Sequence, residues 1–276
     1  MPDERRRLQQ VVDAVFAGKQ SPTVLDAGCG FRCRVRFPPD THIVGLDISQ
    51  DQLDKNEDID EKLLGDIQSH ELPHQHFDGI VCWNVLEHLQ KPENALEQFN
   101  RAIRDGGIII LSAPNPLSAK GIVTKLTPFV FHLWFYRNIR GSKDAGMNGK
   151  PPFPHYLRLS MTPNAIKEFA ERNGFTILHD RVAGYGDSRD VLGRKSRRVD
   201  IIMKVINLFL RVVSFGTIKP ELTQYYFILQ KNPPQTAGEE PCTFQAGTTA
   251  PLDTLSKPTN CFVPPEKPDI QEKSSD

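Results

Sequence analysis

The chain alternates short apolar runs with amphipathic helical patterns, and this commits it to an α/β fold: a mostly parallel sheet covered by helices. The most constraining run is Ile108-Ile-Ile-Leu-Ser112, which keeps no polar position for solvent until its last residue. A half-exposed strand alternates apolar and polar residues, whereas a parallel strand buried on both faces reads as continuously apolar. Further strands are expected at 23–26, 42–46, 62–64, 79–83, 176–179 and 225–229. Helices are expected over 8–16, after a Ser49-to-Gln52 capping-box pattern, over 93–104 with Asp105-Gly106-Gly107 as the exit, and from Thr162-Pro163 to Asn173-Gly174. The expected architecture is seven strands in a mostly parallel sheet with helices on its faces.

The chain has 276 residues with 34 Lys+Arg against 34 Asp+Glu. A neutral balance lacks the basic footprint of a nucleic-acid binder, so no nucleic-acid partner is expected. From 232 to 276 the chain turns rich in Pro, Thr, Ser, Glu and Lys, with apolar residues scattered without period. Such a segment buries too little apolar surface to offset its ordering entropy and is expected to be a disordered tail. Residues 1–231 remain as one domain, with insertions at about 116–154 and 187–221. No run of about 18 apolar residues suggests a membrane span. The first twenty residues lack an apolar leader core. The five cysteines, at 29, 33, 82, 242 and 261, show neither a disulfide framework nor a zinc spacing, and no metal is expected. The expectation is a reduced, soluble, cytoplasmic protein.

Val24-Leu-Asp-Ala-Gly-Cys-Gly30 sets two glycines directly after a strand, where a ligand can lie against backbone at the carboxyl end of a sheet. Asp47 closes the second strand, at the spacing where a carboxylate accepts hydrogen bonds from both hydroxyls of a ribose. A nicotinamide-dinucleotide site would need a glycine at position 33, where Cys33 stands, and its pyrophosphate would meet Asp26. A cofactor with a positive amino group and no phosphates suits Asp26 better, and adenosine joined to an amino acid meets that requirement. An NAD(P)-dependent oxidoreductase of Rossmann type is therefore the weaker enzyme reading. A non-catalytic cofactor-binding or membrane-associated scaffold is the reading from another class.

These residues resemble the class I, Rossmann-like S-adenosylmethionine-dependent methyltransferases, in the branch that contains ubiquinone-, menaquinone- and many secondary-metabolite methyltransferases. Asp26-Ala-Gly-Cys-Gly30 is similar to the cofactor glycine motif, and Gly45-Leu-Asp-Ile48 to the ribose-binding strand end. Gly65-Asp66-Ile67 is similar to the segment that holds adenine, and 77–88, ending Asn84-Val-Leu-Glu-His88, to the fourth-strand motif facing the methionine part. Residues 104–111 with Ala113-Pro-Asn115 are similar to the fifth-strand hallmark. The resemblance implies a Rossmann-like three-layer sandwich, with the last of seven mostly parallel strands antiparallel and an amphipathic helical insertion. It implies S-adenosyl-L-methionine as cofactor, with Asp26, Ala27, Gly28, Gly30, Asp47, Ile48, Asp66, Ile67, Cys82 and Asn84 around it. It also implies a small-molecule acceptor, apolar, lipid-like or a secondary metabolite. One departure is Arg32, where the family often carries a third glycine. Another is the short crossover 31–41, which Pro38-Pro39 keeps from being a helix; Arg32, Arg34 and Arg36 are expected to face water.

A displacement at a sulfonium needs a general base only when the acceptor must lose a proton. His88, just beyond the fourth strand, and His155, in Pro154-His-Tyr-Leu-Arg158, are the catalytic candidates. Each also has a structural reading, as a helix-capping and as a loop histidine. Between 121 and 140, Phe129, Phe131, Trp134, Phe135 and Tyr136 are either ordinary packing or a cap over an apolar acceptor. Within 199–215, Asp200, Lys204, Asn207, Arg211 and Ser214 fall within about 80° of one another at helical pitch. This broad apolar face is covered either by protein or, after the basic run 194–198, by a peripheral membrane contact.

Overall fold

The computed structural model describes residues 2–138, 141, 143–144, 146–147, 155–184, 204–205, 207–209, 211–213 and 222–233. The expected tail beyond 233, and the connections 148–154 and 185–203, lie outside these residues. The chain runs α1 (Pro2–Phe16), β1 (Thr23–Ala27), β2 (His42–Asp47), α2 (Gln50–Lys55), β3 (Glu61–Leu64), β4 (Phe77–Trp83), α3 (Pro92–Ala102) and β5 (Ile103–Pro114). It continues through α4 (Ala119–Leu126), α5 (Phe129–Asn138), α6 (Pro163–Arg172), β6 (Phe175–Gly184) and β7 (Leu222–Lys231). The seven strands form one sheet in the order β3-β2-β1-β4-β5-β7-β6. Pairing is parallel from β3 to β5, and β7 runs antiparallel to both neighbours. This is the expected Rossmann-like architecture.

Strand β5 is apolar because both its faces are covered. Ile108 and Ile110 pack with Val24 and Val81 beneath Leu8, Val12 and Phe16 of α1. Ile109 and Leu111 point the other way and join Leu25 and Ile80 against Leu96 and Phe99 of α3 and Ile166 and Ala170 of α6. The segment 31–41 contains no helix, as Pro38-Pro39 require. Val35 is buried, and Phe37 meets Phe16 edge-on at 5.1 Å between ring centroids. Gln9 of α1 clamps this segment, donating to the Arg36 carbonyl at 2.7 Å and accepting from the Arg36 amide at 3.1 Å. Arg32, Arg34 and Arg36 are exposed.

Two local expectations are corrected. Helix α3 stops at Ala102 rather than Arg104, because Ile103 is already in the sheet opposite Phe77. The pairing then resumes at Ile108 opposite Gly79, so Asp105-Gly106-Gly107 absorb a register shift inside β5 instead of ending a helix. Gly106 has φ +74°, a left-handed backbone that glycine adopts without strain. At α2, Ser49 occupies the N-cap position without capping through its side chain; its amide donates to Asp47 Oδ1 at 2.9 Å instead. Thr162 does cap α6, accepting from the Ala165 amide at 3.3 Å, with Pro163 at the first helical position.

Asp78, in β4, ties three segments at the amino end of the sheet. It accepts from the Thr23 amide at 3.0 Å, from Lys19 at 3.1 Å and from Arg104 at 2.7 Å. Partial burial alone would raise its carboxyl pKa, but the Thr23 amide, Lys19 and Arg104 outweigh it and hold the pKa below the usual value. A depressed pKa gives stability that is present above the ordinary carboxylate range and lost as pH falls. Asp78→Asn should lower stability by about 1–3 kcal/mol at pH 7. Thermal melts should show the gap closing toward pH 3.

Candidate active site

The site is built at the carboxyl ends of β1, β2 and β4. The chain leaves β1 through Gly28, whose amide donates to the Leu46 carbonyl at 2.7 Å, so the turn is hydrogen-bonded to the neighbouring strand. Gly28 has φ +75°, and a Cβ there would lie 2.4 Å from Val85 Cγ2. Glycine is thus demanded first by the packing of Val85, and a Gly28→Val substitution would report on that clash before any ligand.

The next turn residue, Gly30, donates its amide to Asp47 Oδ2 at 2.9 Å. With Ser49 on Oδ1, each oxygen of Asp47 accepts one backbone amide and keeps a second lone pair for a ligand. Asn56, buried at 1 % exposure, donates to the Gly30 carbonyl at 3.1 Å and holds the turn from the opposite side. Asp58 accepts from the Cys33 amide at 2.9 Å. Beside Asp47 stand two exposed apolar side chains: Ile48, and Leu64, the register partner of Asp47 on β3. Phe31 is a third, directly after the turn. Leu64, Phe31 and Asn56 went unmarked in the sequence reading, since no local pattern sets them apart.

The other sequence candidates divide. Asp66 is exposed, and both its oxygens accept from Gln68 Nε2, at 3.1 and 3.0 Å. Gln68 in turn accepts from the Lys91 amide at 2.8 Å. Ala27, Ile67 and Cys82 bury their side chains in the core, so what they can offer a ligand is backbone. Burial drives the Cys82 thiol far above its ordinary pKa. Asn84 is exposed with φ +55°, and its side-chain oxygen accepts from Gln224 of β7 at 2.7 Å. Gln224 also donates to Ser112 Oγ at 2.9 Å, linking the ends of β4, β5 and β7.

The structure brings the two histidines together. His88, in the 3-10 turn Leu86–His88, and His155 have ring centroids 4.6 Å apart. His88 Nε2 lies 4.0 Å from the carboxylate of Glu87, which is buried. The backbone after His155 is fixed to the same turn, the Tyr156 amide donating to the Glu87 carbonyl at 2.8 Å. Among the described residues no cluster of His, Cys, Asp and Glu could hold a metal ion.

Asp26 lies on the α1 side of β1 and is 4 % exposed. Burial pushes its carboxyl up to about 7; a hydrogen bond from Cys33 and the charge of Arg34 work against that, and Asp47 and Asp58 add to it. Burial likewise lifts the Cys29 thiol to about 12, helped by Asp26 and Asp47. The turn thus holds a carboxyl poised near neutrality and two unreactive thiols, Cys29 and Cys33.

Residues 3–180 match the family described as a methyltransferase domain. The chain belongs to that family. An uncharacterised methyltransferase of Schizosaccharomyces pombe is 33 % identical over 119 residues, 37 % of this methyltransferase-family chain and 43 % of the relative. The ubiquinone biosynthesis O-methyltransferase of Pseudomonas paraeruginosa is 27 % identical over 110 residues, 36 % of this chain and 47 % of that one. The chain spans less than half the length of both relatives. A crystal structure of a SAM-dependent methyltransferase from Archaeoglobus fulgidus superposes at a TM-score of 0.46 with 20 % identity, covering 82 % of this chain and 92 % of that one.

The raised pKa of Asp26 has a measurable consequence. The folded chain holds a proton there that the unfolded chain releases above pH 3.8, so this contribution to stability is full in acid and is lost as pH rises through about 7. Asp26→Asn, neutral throughout, escapes the loss. Melts of the two proteins should coincide near pH 4 and separate in favour of the variant by about 2–4 kcal/mol at pH 8. A gap that does not change with pH would contradict the assignment.

Proposed function

We propose that this chain transfers a methyl group from S-adenosyl-L-methionine to a small organic acceptor. The observation that carries the reading is Asp47, oriented by two backbone amides next to a glycine turn and flanked by exposed Ile48 and Leu64. A carboxylate held this way accepts from a pair of vicinal hydroxyls, and the apolar pair beside it suits the face of a purine. When bound, S-adenosylmethionine supplies a methyl group already activated on a sulfonium. Asp26 would give up its proton to a cation brought against it, so it suits an amino-acid ammonium and disfavours a pyrophosphate. Asp66, held by Gln68, presents a carboxylate to an exocyclic amine.

Most of the work is positioning and exclusion of water, since the leaving group is activated by its charge. For an acceptor hydroxyl, the proton goes to the His88–His155 pair beside Glu87. The proposed acceptor is apolar, a lipid-like molecule or secondary metabolite. The support is the aromatic segment α4–α5, where Phe131 and Trp134 stand exposed and stacked at 5.8 Å between centroids. We place the reaction in the cytoplasm.

Asp47→Ala removes hydrogen bonds to a charged acceptor that together are worth roughly 1.5–3 kcal/mol. Affinity for S-adenosylhomocysteine, read by calorimetry, should fall about ten- to a hundredfold. A thermal melt checks that the variant is folded, because Asp47 also takes two backbone amides. An unchanged dissociation constant in folded protein would overturn the assignment. Mass spectrometry of acceptor pools incubated with S-adenosylmethionine then identifies the product that gains a methyl group.

A further inference from the structure

Exposed large apolar side chains concentrate on the two inserted segments. In α5, Val130, Phe131 and Trp134 are exposed, and at about 100° per residue they fall within one 100° arc. Trp134 and Phe131 are each 50 % exposed, and Leu126, at the end of α4, is 77 % exposed. The described residues of 204–213 are helical. There Val205, Leu208, Phe209, Val212 and Val213 are exposed along an arc of about 140°, with Lys204, Asn207 and Arg211 on the remaining side. Apolar arcs of this kind on a domain surface mark contact with a partner.

Charge indicates which partner. By sequence, 116–154 carries six basic residues against one acidic, and 187–221 carries eight against four. Outside them, residues 1–231 hold 17 basic against 22 acidic residues. The insertions are therefore positive and the remainder of the domain negative. An anionic plane attracts the first and repels the second, and so orients the molecule. A nucleic acid would use the charge but leave the apolar arcs uncovered. A second copy would cover the arcs but bring like-charged insertions together. No described helix is long and apolar enough to cross a membrane. Trp and Phe beside Lys and Arg are the composition of elements that lie in the bilayer interface.

We propose that α5 and the helical residues described within 204–213 dock this protein on an anionic lipid bilayer, with their apolar arcs at the acyl boundary and their basic residues among the head groups. This goes beyond methyl transfer: it shares with the proposed acceptor only the exposed pair Phe131 and Trp134, and vesicle binding is read without cofactor or acceptor.

Flotation of the full chain with vesicles tests it without any cofactor, so its outcome is separate from that of the proposed reaction. The protein should float with phosphatidylglycerol–phosphatidylcholine vesicles and not with phosphatidylcholine alone. Added salt should weaken the binding. Phe131→Ser/Trp134→Ser and Phe209→Ser/Val213→Ser should each lower partitioning at least tenfold with an unchanged melting temperature. Failure of the unmodified protein to float would overturn the proposal, as would equal flotation of the variants. A dimer that dissociates in either variant, with no flotation, would overturn it in favour of self-association.

Discussion

A parallel sheet has to be covered on both faces, and in this chain one of the covering pieces is not a helix. Strands β4 and β5 send Val81, Ile108 and Ile110 toward α1 and Ile80, Ile109 and Leu111 toward α3 and α6. Between β1 and β2 the crossover is too short and too rich in proline to supply a helix, so Val35 and Phe37 contribute their side chains from irregular backbone. Such backbone must find hydrogen bonds elsewhere, and Gln9 of α1 provides two of them, each worth about 0.5–1.5 kcal/mol. The glycine turn and the cover over the sheet are thus parts of one continuous segment.

That segment also sets the electrostatics of the site. Because the irregular crossover closes over β1, Asp26 is buried and its carboxyl titrates near neutrality, whereas Asp47, one strand over, remains half-buried. Two acids on adjacent parallel strands so acquire different properties: one holds its proton up to about 7, and the other has both oxygens oriented by backbone amides. Their chemistry comes from burial and backbone donors, not from residue type.

Much of this was legible in the sequence, and what was not has a common cause. Ile108–Leu111 announced a doubly covered strand, and the spacing of Gly28, Gly30 and Asp47 located the strand ends. The end of α3 is ambiguous in the sequence because Asp105-Gly106-Gly107 suits a helix exit as well as a register shift inside a strand; the pairing of Ile103 with Phe77 decides between them, and that pairing is non-local. Asn56, Gln68 and Gln224 escaped for the same reason. Asn56 reaches Gly30 across 26 residues and Gln224 reaches Asn84 across 140, and nothing in their own surroundings marks them. The histidine pair was legible as two separate residues but not as a contact, because His155 is brought to His88 by the anchoring of Tyr156 on Glu87.

We propose that this glycine turn and its two acids select an adenosine joined to an amino acid over a dinucleotide. Calorimetric titration of the unmodified protein with S-adenosylhomocysteine and, separately, with NAD tests it most directly. Saturable one-site binding of S-adenosylhomocysteine and no measurable binding of NAD are expected. Binding of NAD in the absence of S-adenosylhomocysteine binding would contradict it.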